Sequence, residues 1–396
     1  MPELEEVTKE LMDGIEEATR KCWNCNFCIS VCPVFSNTGG FYSRGGSGLT
    51  QSLYYAVRWG LLDGPEKEEL MRNIFRCTTC NACVIRCESL SAGIPLMEII
   101  DRGRKLLVEK SIGPMPEQRK VLESIYMYGN PYTQPAEQRL GWLKDLKVKK
   151  LPGEKAEVLF FVGCSTSYEP VLHNVARSLV KLFQFFEVDF GILEEEKCSA
   201  ETVIRLGDEV LFGELSAQNI EAFKRTGAKT IVTVSPHDFH AFVEDYQNLK
   251  DSFEIKHYTE FFANQLNGKK IEFRKKMSST ITYHDPCYLS KHHAILEAPR
   301  KILKEIPGAN VVEMKLHGLD NLCCGGGGGR MFAEVEEEQR LSDMRVGQAL
   351  EVGANVIATA CPWCHIMLDN AVKDLKVDDK IKVMDVAEIL AEALGL

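Results

Sequence analysis

Apolar residues in the first hundred positions recur at helical spacing. In "MPELEEVTKELMDGIEEATR" (1–20), Leu4, Val7, Leu11 and Ile15 fall on one stripe of a 3.6-residue period. "LTQSLYYAVRWGLL" (49–62) and "IPLMEIIDRGRKLLVEK" (94–110) also read as helices, so this region is predicted to be all helical. From 111 to 153 the pattern breaks up around prolines and turn glycines, as in "SIGPMPEQ", "YGNPYTQP" and "LPGEK", and reads as a connection over the surface. Beyond it, short apolar runs such as "VLFFV" (158–162) alternate with helical stretches, the signature of α/β units with a parallel sheet. The predicted architecture is α+β and multidomain: a helical domain at 1–110, a linker at 111–153, and two α/β lobes at 154–270 and 271–396.

The two lobes are copies of one another. "RTGAKTIVTVSPHDFHAF" (225–242) aligns without gaps on "EVGANVIATACPWCHIML" (351–368), 126 residues later. Upstream, "VLFFVGC" ending at Cys164 pairs with "ITYHDPC" ending at Cys287, and "EEKCS" at Cys198 pairs with "NLCC" at Cys323. Downstream, "HYTEFFA" (257–263) pairs with "DVAEILA" (385–391). Cys164, Cys287 and Cys361 fall just after predicted strands, where parallel α/β sheets place their ligands.

The helical region carries a second repeat, of cysteines. "CWNCNFCISVCP" (22–33) and "CTTCNACVIRC" (77–87) both read C-x2-C-x2-C-x3-C. Three thiolates in a tight loop grip one cubane, and the fourth serves the other cluster in two-cluster ferredoxins. This predicts one 4Fe–4S cubane on Cys22, Cys25, Cys28 and Cys87, and another on Cys77, Cys80, Cys83 and Cys32. Zinc prefers isolated C-x2-C knuckles and does not account for two matched runs of four. Glu88 follows Cys87 where Pro33 follows Cys32, which leaves the backbone of the second turn open. "RGGSG" (44–48) lacks a preceding strand and is read as a loop rather than a phosphate site.

Fifteen cysteines therefore mark metal chemistry rather than disulfides, since a chain of 396 residues with 45% hydrophobic content needs no covalent staples. A net charge of -10 argues against a general nucleic-acid or anionic-membrane surface. The longest apolar runs are strand-sized, and the acidic N-terminus lacks a signal-peptide layout, so a cytoplasmic protein without a membrane span is expected.

At matched positions the second lobe carries Cys287, Cys323, Cys324, Cys361 and Cys364, whereas the first carries Cys164, Cys198, Ser199, Ser235 and Asp238. Five thiols, two of them adjacent, exceed the needs of an ordinary cubane and suit an opened cluster with a bridging thiolate. The glycines at 325–329 would let backbone close around it. Zinc on Cys361, Cys364 and one of the pair is the alternative. Cys164 and Cys198 are either remnants in a packed lobe or ligands of a small metal site completed by Ser199, Asp238 or His237.

With "HDPCYLS", "CCGGGG" and "CPWC" as local forms, the second lobe resembles the cysteine-rich CCG domain of heterodisulfide reductases. The resemblance covers nearly the whole chain, because a helical ferredoxin domain fused to two CCG lobes is the layout of the D-type subunit. Iron–sulfur subunits of glycolate oxidase and anaerobic glycerol-3-phosphate dehydrogenase share that layout. The resemblance implies two cubane 4Fe–4S clusters, a non-cubane 4Fe–4S cluster on the five cysteines, and reduction of a disulfide or oxidation of a dithiol there. The rival is a non-catalytic relay from a flavin-dependent hydroxy-acid or glycerol-3-phosphate dehydrogenase to a quinone. Other redox subunits, cytochrome b-like or flavoprotein, are the expected partners.

Disulfide reduction consumes protons, and His284 in "YHDPC" and His365 after Cys364 are candidate donors or hydrogen-bond tuners. Lys291, His292 and His293 read as a solvated helix start rather than an anion site, and Trp363 as a packing residue. "CPWCH" matches a haem-attachment motif in letters only, since haem would strand the neighbouring cysteine pair.

Overall fold

The N-terminal amphipathic stretch forms a helix over Pro2–Arg20 that packs on the helix Leu96–Glu109. Leu11 and Ile15 of the expected stripe are buried and Val7 is exposed; the side chain of Leu4 lies outside the described residues. The helix Ser47–Arg58 buries Leu49, Leu53, Ala56 and Val57, one face at i, i+4, i+7 and i+8. A Cβ on Gly103 would strike the Leu53 side chain, so the glycine lets these two helices close on each other. Together with Ile74, Phe75 and Ile99 these residues form one hydrophobic core.

The computed structural model describes residues 2–268, 271–333 and 339–396, and it divides into two bodies. The first gathers Met1–Leu122, Thr202–Phe212 and Leu322–Met344. Leu206 and Ala333, from the two later segments, belong to the helical core just described.

The second body, Glu123–Glu201, Gly213–Asn321 and Arg345–Leu396, holds both sheets. One comprises β1 (Lys149–Leu151), β2 (Val158–Phe161), β3 (Phe190–Leu193), β4 (Thr230–Thr233) and β5 (Glu254–His257), in the order β1-β3-β2-β4-β5. The other comprises β6 (Thr280–Tyr283), β7 (Asn310–Val312), β8 (Val356–Thr359) and β9 (Lys382–Asp385), in the order β7-β6-β8-β9. Every pairing is parallel, and the order is the same in both sheets apart from the extra edge strand β1. The sequence repeat is thus a repeat of topology. One continuous apolar core serves both sheets, with the helix Val386–Leu394 against His173–Phe185 and Tyr258–Leu266 against Glu297–Glu305.

Matched residues play matched parts. His257 and Asp385 each end the last strand of a sheet and cap the following helix, accepting from the Thr259 and Ala387 amides. Tyr258 Oη donates to Asp385 Oδ1 at 2.6 Å, joining the two caps.

The stretch at 111–153 differs from the surface connection expected of it. It forms the helix Pro116–Tyr128, buries Trp142 completely, and supplies β1 to the first sheet. Its prolines mark boundaries, with Pro116 starting a helix, where a missing amide costs nothing. Among the described residues no helix is long and apolar enough to cross a membrane.

Candidate metal centres

The two cysteine runs fold alike because the same positions turn left-handed. Asn24 and Thr79, two residues after the first cysteine of each run, have φ of 53° and 51°; Asn26 and Asn81, two further on, have 64° and 65°. Each turn aims an amide at sulfur: Asn24 N donates to Cys22 Sγ at 3.4 Å, and Thr79 N to Cys77 Sγ at 3.4 Å. Cys22, Cys25, Cys28 and Cys87 line one cavity of the first body. Cys32, Cys77, Cys80 and Cys83 line another. The fourth cysteine of each run therefore stands in the other run's cavity. Glu88 fits its place because Cys83 and Cys87 both lie within the helix Ala82–Leu90, whereas Pro33 opens a new helix, Pro33–Ser36.

The cavities suit cationic clusters. Burial pushes the Cys32 thiol up to about 12, with the neighbouring Cys80 and Cys77 sulfurs adding to the rise, so ionised sulfurs here call for positive charge. Ser47 N and Ile94 N donate to Cys28 and Cys87 Sγ at 3.1 and 3.3 Å. Of the "RGGSG" segment only Gly45 and Gly46 form a loop, since Arg44 ends a short 3-10 helix and Ser47 and Gly48 open the helix Ser47–Arg58, and the two glycines do more than connect. A Cβ on Gly45 would lie 2.6 Å from Cys32 Sγ, and one on Gly46 would lie 3.1 Å from Cys28 Sγ.

Cys323 and Cys324 are buried in the first body, and Gly325 N donates to Cys323 Sγ at 3.3 Å. The glycines beyond them press on the second cysteine run: a Cβ on Gly327 would strike the Thr78 carbonyl, and one on Gly328 the Cys77 carbonyl. Arg104, fully buried, ties this together by donating to the carbonyls of Ile74, Cys77, Arg205 and Gly328. Helical periodicity alone could not have set Arg104 apart from other arginines.

Cys287, Cys361 and Cys364 are buried in the second body. Cys287 begins a helix beyond β6, and Cys361 caps the helix Pro362–Asp374 beyond β8, the strand beside β6. Asp285, two residues before Cys287, takes a bidentate contact from Arg300 at 2.6 and 2.9 Å and the Gly318 amide at 2.8 Å. Asn321, two residues before Cys323, donates to the Asp285 carbonyl, and Lys291 Nζ donates to the Asn321 carbonyl at 2.6 Å. Lys291 is thus buried in the last turn of the helix Cys287–His293, not on a solvated helix start.

His284 is fully buried, within 4.8 Å of Cys364 as measured between ligand atoms. Its Nδ1 accepts from Arg345 Nε at 3.0 Å, which leaves the proton on Nε2. Burial and the Arg345 cation hold this imidazole well below its usual range, so it offers a hydrogen bond rather than an acid's proton. Burial likewise lowers His365, to about 4.

A different histidine touches the knuckle at Cys361. His237 comes from the first lobe, where its place in the sequence groups it with Cys164 and Cys198. Burial alone would lower its pKa, but Glu201, with Nδ1 3.2 Å from Oε1, and Cys361 hold it up at about 10. Burial raises Cys361, and hydrogen bonds from Cys364 and His237 outweigh this to bring it to about 5. Tyr288 and Trp363 clamp the His237 ring, with centroids 3.9 and 4.0 Å away, and Trp363 Nε1 donates to Ser165 Oγ at 2.9 Å. Trp363 packs, as expected.

The matching place in the first lobe holds an ion network. Arg139 donates to Glu196, which accepts the Val162 and Gly163 amides at 2.9 Å each, and Arg139 also reaches Cys164 Sγ at 3.6 Å. Ser199 Oγ donates to Asp238 Oδ1 at 2.5 Å. Arg139 comes from the stretch with the sequence pattern of a linker, so its role was hidden.

Residues 158–240 and 281–369 match the cysteine-rich domain family, and 18–90 match the 4Fe-4S dicluster domain family. Over 395 residues the chain is 34% identical to the D-type subunit of the dihydromethanophenazine:CoB–CoM heterodisulfide reductase of Methanosarcina barkeri, covering 95% of this chain and 94% of that one. The chain belongs to the family of heterodisulfide reductase D-type subunits. This member of the heterodisulfide reductase family is an iron–sulfur oxidoreductase of the 4Fe–4S type. It is also 33% identical over 336 residues to the EtfAB:quinone oxidoreductase of Syntrophomonas wolfei, covering 81% of this chain but 46%, about half, of that protein. The crystal structure of a hypothetical protein from Helicobacter pylori superposes with a TM-score of 0.55 at 12% identity, over 98% of this chain and 72% of that one, a likeness of fold alone.

Proposed function

We propose that the chain is the iron–sulfur subunit of a disulfide reductase, also able to oxidise a dithiol. Two cubane 4Fe–4S clusters are assigned to Cys22, Cys25, Cys28 and Cys87, and to Cys32, Cys77, Cys80 and Cys83. A non-cubane 4Fe–4S cluster is assigned to Cys287, Cys323, Cys324, Cys361 and Cys364. Such clusters supply electrons one at a time to a two-electron cleavage, RSSR + 2e⁻ + 2H⁺ → 2RSH. The observation that carries the reading is the buried second-lobe group of Cys287, Cys361 and Cys364, with His284 within 4.8 Å of Cys364 between ligand atoms. His284 holds its Nε2 proton beside Cys364, and Arg345 fixes that tautomer. His237, clamped by Tyr288 and Trp363, presents its ring to Cys361.

A second reading, a relay from a flavin-dependent dehydrogenase toward a quinone, is favoured by the likeness to an EtfAB:quinone oxidoreductase. Either role calls for partner redox subunits, a cytochrome b-like or a flavoprotein one, and a place at the cytoplasmic side of a membrane. Anaerobic iron counting with paramagnetic resonance of the oxidised protein, with and without candidate disulfides, separates the two. Disulfide reduction predicts about twelve irons per chain and a signal that depends on the disulfide and vanishes in Cys323→Ala. About eight irons and no response to thiols would favour the relay.

A further inference from the structure

The first lobe keeps two cysteines that no cluster assignment uses, and they sit together. Arg139 Nη1 and Nη2 lie 3.6 and 3.7 Å from Cys164 Sγ. Glu196 anchors the same guanidinium, and the Val162 and Gly163 amides anchor Glu196, so the cation cannot swing away. Cys198 Sγ takes the Ala200 amide at 3.4 Å, and the neighbours of the two thiols meet at one carboxylate: Ser199 Oγ donates to Asp238 Oδ1, and a Cβ on Gly163 would lie 2.5 Å from Asp238 Oδ2. A metal ion would have to displace this guanidinium, and Asp238 is already engaged by Ser199.

We propose that Cys164 and Cys198 are a peroxide-oxidisable dithiol, with Cys164 the attacking thiolate and Cys198 the resolving thiol. The Cys198 hydrogen bond, opposed by burial and supported by Arg139, brings Cys164 down to about 7, while Cys198 stays well above the usual thiol range. One sulfur is thus ready to attack and its neighbour keeps its proton, the division of labour that sulfenic-acid chemistry requires. Cys164 and Cys198 are only 8% and 6% exposed, which excludes bulky disulfides and favours an oxidant as small as hydrogen peroxide.

The chemistry balances in two steps. Cys164 thiolate attacks one peroxide oxygen, the O–O bond breaks, and hydroxide leaves to take up a proton, giving sulfenic acid and water. The Cys198 sulfur then attacks the Cys164 sulfur, the S–O bond breaks, and the thiol proton leaves with the hydroxyl as a second water. Overall, thiolate, thiol, peroxide and one proton give a disulfide and two waters. Closure removes the thiolate that faces Arg139. Ser165, the next residue, accepts from Trp363 of the CPWC knuckle, so the change is felt one residue from the second lobe.

The test uses the full chain, purified anaerobically with its iron, given one equivalent of hydrogen peroxide, quenched with iodoacetamide and mapped by peptide mass. The expected result is a Cys164–Cys198 disulfide in most chains at unchanged iron content. In Arg139→Gln its formation should slow by about tenfold, and in Cys198→Ser a sulfenic acid on Cys164 should be trapped by dimedone. Recovery of both cysteines as alkylated thiols from wild-type chains that have already lost iron overturns the proposal, as does a disulfide joining either one to another cysteine. The wild-type measurement stands whether or not the variants fold.

Discussion

Arg104 Nη1 donates to the Gly328 carbonyl at 3.2 Å, across 224 residues of sequence. The same side chain reaches the Cys77 carbonyl at 2.7 Å, so it binds the glycine run to the second cysteine run. Replacing it with methionine strands four carbonyls and should cost on the order of 3 kcal/mol, read as a lower urea midpoint of the iron-loaded protein. Burial raises the Cys77 thiol to about 11, and the Arg104 cation opposes that rise. Arg104→Gln should therefore lower the midpoint potential of one cluster in a redox titration followed by paramagnetic resonance, because added electrons lose a nearby positive charge. Unchanged potentials would reduce Arg104 to a purely structural role.

Two glycines make a controlled pair. Gly328 has φ of +63°, and a Cβ there would strike the Cys77 carbonyl; Gly213, in the helix Glu209–Thr226, has nothing within 4 Å. Gly328→Ala is expected to lose about 2–3 kcal/mol, whereas Gly213→Ala should be neutral or gain up to about 1 kcal/mol. Thermal unfolding of both variants beside the parent checks the contrast.

His257 predicts a pH slope. Burial lowers its pKa to about 3, and its Nε2–H is committed to the Val234 carbonyl at 2.9 Å. The folded value lies below the unfolded value of about 6.5, so the stabilisation is complete above pH ~6.5 and is lost as the pH falls toward 3. Between pH 6.5 and 5.5 this histidine alone should remove about 1 kcal/mol. Denaturant unfolding of His257→Gln should show a shallower dependence over that interval than the parent; identical slopes would refute the assignment.

Arg300 grips Asp285 with two nitrogens and Glu313 with two more contacts, at 2.7 and 3.0 Å. Arg300→Met leaves a buried carboxylate beside the Cys287 turn without its cation and should cost about 3–5 kcal/mol. Arg300→Lys, which keeps charge but loses the fork, should fall between the two. Equilibrium unfolding of the three proteins orders them.

Much of this was written in local patterns. Period-3.6 stripes announced the helices around Leu53 and Ile99, and the gapless match of 225–242 to 351–368 announced two sheets of one topology. The x3 spacing before Cys32 and Cys87 announced the exchange of fourth cysteines between cavities. What stayed hidden depends on distant chain segments. Arg139 sits in a proline-broken stretch, Arg104 looks like any helical arginine, and His237 aligns with Cys364's neighbour Trp363 rather than with any ligand. Their positions follow from tertiary packing, which a one-dimensional period cannot encode.

The helical core takes Leu206 from the middle of the chain and Ala333 from near its end. During synthesis, the ribosome must therefore release most of the polypeptide before that core can close. Excising residues 1–110 would leave apolar walls open to water, and iron insertion into the excised piece should be poor beside insertion into the whole chain. Cluster loading of the first body is therefore expected to follow synthesis through Ala333 rather than synthesis of the helical segment alone.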